Sequence, residues 1–167
     1  LMGMLTGPRA GDSIYDPTCG SASLLIRTAR QAGNLDQVAI YGQEMNGSSW
    51  SMARMNLFIH GIHVNPNDIA WGDTLANPQH LDSDGNLKQF DVIVANMPFS
   101  LDKWAEGFNP GGQEDGASDK EKKFKMTANL DRFHRFDWGV PPTSKGDYAF
   151  VLHMLSSLDA ENGRMAV

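Results

Sequence analysis

Short apolar runs alternate with amphipathic stretches along the first hundred residues of the chain. The run Phe90–Ala95 is rich in β-branched residues and bounded by polar ones, which is typical of a buried parallel strand. Three further strands are predicted before it. They span residues 13–16 and 38–42, and a third, short strand lies within residues 63–70.

Helical periodicity separates several of these runs. Residues 21–32 place apolar side chains along one face, and Asn46 is a suitable N-cap for a second helix that ends near Gly61. A third helix is indicated by Val151, Met154, Leu155 and Leu158 at i, i+3, i+4 and i+7. Its start resembles a capping box over residues 144–147, its end is predicted near Asn162-Gly163, and residues 164–167 predict the beginning of a fifth strand.

Strands that alternate with helices predict an α/β fold, with a mostly parallel sheet and helices on both faces. One domain is expected over residues 1–167. The last predicted strand has four residues, and the first begins too near the start of the chain for a covering helix. We therefore expect this domain to be a truncated fragment of a longer protein.

Residues 101–145 show little periodicity and predict a long insertion loop within the domain. Its segment 120–135 carries six basic and two acidic residues, interleaved with Phe124 and Phe133. Basic residues mixed with aromatics suit a phosphate backbone or an unstacked base. A solvated loop that packs on a partner subunit explains the composition equally well.

The composition narrows the function classes. A net charge of −6 argues against self-sufficient binding to duplex DNA, which usually needs a basic face. No apolar run approaches the roughly 18 residues that span a membrane, and a single cysteine fits a reducing cytoplasm. Cys19 lacks a neighbouring base and is predicted to be a small buried residue rather than a nucleophile. The spacing of the histidines predicts no metal site.

Polar side chains stand at the carboxyl ends of four successive predicted strands, where α/β sheets bind their ligands. They are Asp16, Glu44, Asp73 and Asn96. The small residues after Asp16 let a ligand approach the free amides of a helix N-terminus. Residues 96–99 offer a carboxamide oxygen, an aimed backbone carbonyl and an aromatic ring, which together suit a planar group that bears an amine.

Several blocks then occur in a family-specific order. They are DPTCGS at 16–21, YGQEMN at 41–46, ARMNL at 53–57, GDTL at 72–75, FDVIVAN at 90–96 and PPTSKGDYAF at 141–150. In these blocks the chain resembles the catalytic core of the modification subunit of type I restriction-modification systems, an N6-adenine DNA methyltransferase. The resemblance implies a class I S-adenosylmethionine-dependent methyltransferase fold, which is Rossmann-like.

The resemblance also implies roles for individual residues. The cofactor S-adenosylmethionine would be held at its methionine end by Asp16 and Gly20, at its ribose by Glu44 and at its adenine by Asp73. The full set of implied cofactor-binding residues is Asp16, Thr18, Gly20, Ser21, Ala22, Glu44, Met45, Asp73, Thr74 and Leu75.

The target base would bind at the tetrapeptide Asn96, Met97, Pro98 and Phe99. Asn96 and the carbonyl of Met97 would accept the two N–H groups of a flipped-out adenine, while Phe99 stacks on its ring. The amine would then attack the sulfonium methyl without a metal or a covalent nucleophile. The implied partners are DNA, a specificity subunit that supplies sequence recognition, and a restriction subunit.

Two positions depart from the family pattern. Ala22 stands where glycine is usual, so its methyl group is expected to crowd the cofactor or to forbid a backbone with positive φ. Met97 stands where proline is usual, which loosens the turn that aims the carbonyl. Two alternatives stay open: an impaired scaffold with a methyltransferase fold, and a protein-glutamine N5 methyltransferase. The fragment alone is expected to be inactive.

Overall fold

The computed structural model describes residues 1–99, 101–109 and 125–167 of the chain. These contain a five-stranded sheet and four α-helices, and apart from the first helix their order matches the predicted alternation. The strands are β1 (Ser13–Asp16), β2 (Ala39–Glu44), β3 (Ile69–Trp71), β4 (Val92–Val94) and β5 (Arg164–Ala166). The helices are α1 (Met2–Thr6), α2 (Ser23–Ala29), α3 (Gly47–Ile59) and α4 (Asp147–Ser156).

All four strand pairings are parallel, and the strand order is β3-β2-β1-β4-β5. Successive strand residues pack on opposite faces, as the two-residue period of a strand requires. Ile14, Val92 and Val94 join the apolar cluster that α2 and α3 complete, whereas Tyr15 and Ile93 pack with Met154 of α4. The predicted parallel sheet with helices on both faces is confirmed.

The start of the chain differs from the prediction, because the short helix α1 contacts α2 and β5. The Arg164 guanidinium donates hydrogen bonds to the carbonyls of Thr6 and Gly7. Carbonyls at the end of a helix receive no hydrogen bond from the amides of that helix, so they need donors from elsewhere. A long-range side chain therefore completes the end of α1, which local sequence does not reveal.

Both ends of α4 also differ from the prediction. The prediction of a capping box was wrong. The N-cap of α4 is Gly146, and no side chain makes a capping hydrogen bond there. The Gly146 amide donates to the Leu101 carbonyl instead. The helix ends at Ser156, well before Gly163, because the next residues pair with the sheet. Leu158 forms a parallel bridge with Phe90, so its side chain reaches the core from extended backbone rather than from a helix.

The described parts of the predicted insertion, residues 101–109 and 125–145, hold only short 3-10 turns, yet they form a third apolar cluster. Trp104, Met126 and Phe136 are almost fully buried there, packed with Ala149 and Phe150 of α4. This cluster has no helical or strand period, so hydrophobic patterning does not predict it. Phe124 and the basic residues Lys120, Lys122 and Lys123 lie outside the described residues.

Among the described residues, no helix combines the length and the apolar character that crossing a bilayer requires.

Candidate functional site

A pocket of about 660 Å³ opens where the carboxyl ends of the strands meet. β1 lies between β2 and β4, so the chain winds away from β1 in opposite directions on its two sides, and such a switch point leaves a crevice. The predicted site residues that line the pocket are Thr18, Glu44, Met45, Asp73, Thr74, Leu75, Asn96 and Pro98. Residues from both halves of the predicted site therefore share one cavity.

The other predicted residues are not among those that line the pocket. Asp16 and Ala22 are buried. Gly20 and Ser21 belong to the turn before α2, and Gly20 has a positive φ of 53°. Phe99 follows the pocket-lining Pro98 and is 80% exposed, so its ring is open to a binding partner.

The Asp16 carboxyl is buried at the end of β1, where its Oδ1 accepts a hydrogen bond of 2.9 Å from the Thr18 amide. The pKa of Asp16 is raised from 3.8 to about 7, mainly by burial; the hydrogen bonds from Thr18 oppose this rise, and the nearby Glu44 carboxylate contributes to it. Asp16 is thus poised to lose its proton near neutral pH, and a cation placed beside it would favour the charged form.

The Glu44 carboxylate joins the first two strand ends. Its Oε2 accepts from the Gly20 amide at 2.9 Å, and its Oε1 accepts from the Asn46 amide at 2.7 Å. The Asn46 side chain in turn accepts from the Ser49 amide, which confirms the predicted cap of α3. The two backbone bonds aim the Glu44 carboxylate and leave lone pairs for hydroxyl donors.

Asp73 is held by the loop that it begins. Its Oδ1 accepts from the amides of Leu75 and Ala76 at 2.8 and 3.2 Å. Its Oδ2 faces Gly107, whose hypothetical Cβ would lie 3.3 Å away and would overlap the Cβ of Ala76. The segment around Gly107 therefore closes over Asp73 only because residue 107 has no side chain.

Met97 is half-buried and packs against two apolar clusters, the one around Phe136 and the one around Tyr15. This packing restrains the turn after β4 by a side-chain contact, in a place where the family pattern has a rigid proline ring.

Ala22 adopts φ 61° and ψ 13°, which is left-handed backbone. The expectation that its methyl group forbids positive φ was therefore wrong. This conformation costs an alanine about 1–2 kcal/mol, and the packing around the residue can offset that cost. Ala22 is fully buried in the apolar cluster with Leu25 and Ile26 and does not line the pocket.

Cys19 is also buried, and its sulfur packs closely on Gly42. Burial raises the pKa of its thiol, so the nucleophilic thiolate is disfavoured. The prediction of a small buried residue is confirmed.

Two polar side chains support the pocket and were missed by motif reasoning. Gln43 is fully buried; its Nε2 donates to the Asn77 carbonyl and its Oε1 accepts from the Gln79 amide, both at 3.0 Å. Its position next to Glu44, at the carboxyl end of β2, could have indicated this supporting role from the sequence. Arg135 donates to the carbonyls of Thr74 and Leu75 from far along the chain, and no local pattern indicates that contact.

Comparison with known proteins identifies relatives of this chain. The family model described as N-6 DNA Methylase matches residues 1–167. The type I restriction enzyme MpnII methylase subunit of Mycoplasma pneumoniae is 33% identical over 90% of this chain and 25% of its own length. The HindI methylase subunit of Haemophilus influenzae is 32% identical over 92% of this chain and 29% of its own length. The chain thus spans less than a third of these relatives.

Solved structures agree on the fold. The type I restriction-modification methyltransferase subunit from Streptococcus thermophilus superposes with a TM-score of 0.73 at 28% identity, over 98% of this chain and 31% of its own. A Listeria monocytogenes protein assigned to the class I S-adenosylmethionine-dependent methyltransferases gives a TM-score of 0.60 at 16% identity, over 96% of this chain and 40% of its own. The predicted class I methyltransferase fold is confirmed.

Proposed function

The chain belongs to the N-6 DNA Methylase family, and from that premise we propose that it is the catalytic core of an enzyme that methylates N6 of adenine in DNA with S-adenosylmethionine. The observation that carries the proposal is the shared pocket. Glu44 and Asp73 from one side of the switch point and Asn96 from the other line the same cavity.

The residues present fit S-adenosylmethionine. A cavity of about 660 Å³ lies within the usual range for cofactor sites. The carboxylates of Glu44 and Asp73 are already oriented by backbone amides, and they would accept from the ribose hydroxyls and from the adenine amine. Asp16 would pair with the ammonium of the methionine end, which would draw its pKa back down. Thr18, Met45, Thr74 and Leu75 would line the rest of this half, and the turn with Gly20 and Ser21 would lie next to the methionine end.

When bound, S-adenosylmethionine supplies an activated methyl group. The remaining work falls to residues of the chain around the acceptor amine. Asn96 Oδ1 and the Met97 carbonyl would accept its two N–H groups, which aims the nitrogen lone pair and stabilises the positive charge that develops on nitrogen. Phe99, exposed beside Pro98, would stack on the extruded base.

The departures at positions 22 and 97 are compatible with activity. The Ala22 backbone adopts the left-handed conformation that a glycine would, and its methyl group is buried away from the pocket wall. Met97 keeps the backbone carbonyl and is anchored by packing. These observations favour an enzyme over an impaired scaffold, and the relatives favour DNA over a protein glutamine as substrate.

We expect the enzyme to act within a larger assembly. The acidic chain, at −6, provides little attraction for a DNA backbone. A specificity subunit would supply most of the affinity for DNA and the sequence recognition, and a restriction subunit would join the same complex.

The test measures transfer of radiolabelled methyl groups from S-adenosylmethionine to duplex DNA by the complete protein with its specificity subunit. Asn96→Ala should lower kcat by about 100-fold or more, because it removes an acceptor that stabilises the transition state. Affinity for S-adenosylhomocysteine should change by less than about threefold, since Asn96 belongs to the target half of the pocket.

Asn162→Ala is the matched control, because it removes an exposed carboxamide from the turn that precedes β5, whereas the pocket lies at the opposite, carboxyl ends of the parallel strands. No labelling of DNA by the intact, assembled wild-type complex would contradict the proposal.

A further inference from the structure

Arg135 lies almost completely buried within the predicted insertion. Its guanidinium pairs with the Asp131 carboxylate, with Nη2–Oδ1 at 2.8 Å and Nε–Oδ2 at 3.0 Å. The rings of Phe108, Phe133 and Phe136 surround it. A buried ion pair is costly unless its geometry is good and its remaining donors are satisfied, so the other partners of Arg135 matter.

Those partners include the loop that begins with Asp73. Arg135 Nη2 donates to the Leu75 carbonyl at 2.6 Å, and Nη1 lies 3.4 Å from the Thr74 carbonyl. The Leu75 amide donates to Asp73 Oδ1 at 2.8 Å. Residue 75 is therefore held from both sides, by the Asp73 carboxylate through its N–H and by Arg135 through its C=O.

Arg135 also reaches α4 and β1. Its Nη1 lies 3.1 Å from His153 Nδ1, and because a guanidinium only donates, Nδ1 must be the acceptor. The ring proton then resides on Nε2, which donates to the Tyr15 hydroxyl at 3.1 Å. Burial, and secondly the Arg135 charge, lower the pKa of His153, so the imidazole stays neutral. Tyr15 directly precedes Asp16 in β1.

From these contacts we infer that Arg135 is a positioning residue, which holds the loop 73–75 in place for the cofactor and couples that loop to the segment 131–136 of the insertion. The inference rests on the proposed function, since it concerns the cofactor half of the same pocket. Coupling between two sites is reciprocal, so a cofactor that orders the loop also stabilises the segment 131–136.

The experiment uses the complete protein and S-adenosylhomocysteine as the probe. Hydrogen exchange of residues 131–136 and the calorimetric Kd are measured with wild type and Arg135→Lys. The lysine keeps the charge but loses the planar fork that serves two carbonyls and a carboxylate. Kd should rise about tenfold, kcat at saturating cofactor should change little, and ligand-dependent protection of the segment should disappear.

Two further variants make the result specific. Arg132→Lys alters an exposed neighbour on the same segment and should leave Kd within about twofold of wild type. The double variant Asp131→Asn/Arg135→Gln removes both buried charges together, which avoids an unpaired ion and preserves folding. It should show the same loss of ligand-dependent protection.

Variants that melt earlier but keep wild-type Kd and ligand-dependent protection would overturn the inference, because Arg135 would then only stabilise the fold. A wild-type protein that binds no S-adenosylhomocysteine and methylates no DNA would overturn the proposed function and this inference with it. Wild-type binding with unchanged coupling in the variants overturns the inference alone.

Discussion

Residues 13–96 and the described residues of the predicted insertion, 101–109 and 125–145, reach the same pocket by different physical routes. In the first region each site residue ends or follows a strand, so the parallel ladder sets its position: β1 and β2 end in Asp16 and Glu44, and β3 and β4 lead to Asp73 and Asn96. In the second region long-range side-chain contacts do this work. Arg135 holds the loop after Asp73, and Phe136 and Trp104 pack the segments that surround it.

The difference concerns how precision is achieved. A ladder of backbone hydrogen bonds repeats at every residue and tolerates many side chains. The buried Arg135 guanidinium, by contrast, is a single group that contacts a carboxylate, two carbonyls and an imidazole. Among the described residues, no other contact repeats this set of hydrogen bonds. We therefore expect the second region to be the more sensitive to single substitutions.

The largest expected effect tests whether the two regions unfold together. Phe136 and Leu57 are both fully buried, one in the insertion cluster and one beneath the sheet. Phe136→Ala should cost about 3–5 kcal/mol and Leu57→Ala about 2–5 kcal/mol, through lost burial and cavity formation. Both should shift the whole denaturant transition of the complete protein.

Trp138→Ala is the control, since Trp138 is 90% exposed and its loss should change stability by less than about 0.5 kcal/mol. A Phe136→Ala variant that leaves the main transition in place would show that the insertion unfolds as a separate unit.

The next effect concerns pH and the first region. The Asp16 pKa is about 7 in the folded protein against 3.8 ordinarily, so the folded state holds the proton more tightly. Stability from this group is present below about pH 4 and is lost as pH rises through 7, by at most about 4 kcal/mol. Asp16→Asn should therefore have the stability of wild type near pH 4. At pH 8 it should unfold at a higher denaturant concentration than wild type does.

Cofactor binding should show the opposite trend with pH. If Asp16 pairs with the cofactor ammonium, wild-type Kd for S-adenosylhomocysteine should rise by up to about tenfold per pH unit below 7. Asp16→Asn should bind more weakly and with no such dependence. If Kd depended on pH in the same way for both proteins, the proposed role of Asp16 in binding the cofactor would be contradicted.

The smallest effect is expected at Ala22. Ala22→Gly relieves the left-handed strain of about 1–2 kcal/mol but loses a buried methyl group and adds backbone entropy to the unfolded chain, so the net change should stay within about 1 kcal/mol. Cofactor Kd should not change, because the methyl group packs in the core. A tenfold gain in affinity would instead favour the impaired-scaffold alternative.

Much of this architecture follows from the sequence because it depends on short-range periods. The apolar run before Asn96 predicts a strand, the next residue must then lie at its carboxyl end, and Asn46 predicts the start of α3. The misses have a common cause. The capping box at 144–147 matched a local motif, but the amide of Gly146 bonds to Leu101 instead, a partner 45 residues earlier.

The sequence by itself determined the parallel sheet, the set of polar residues at four strand ends and the family to which they belong. A two- or 3.6-residue period suffices for the sheet and its strand ends, whereas the family was implied by the resemblance of the ordered sequence blocks. Only the tertiary structure decided that Asp16 is buried with a raised pKa, that Ala22 is left-handed, and that Arg135 holds the loop after Asp73. Burial and hydrogen-bond partners are properties of residues distant along the chain, and they exist only once those residues have been brought together.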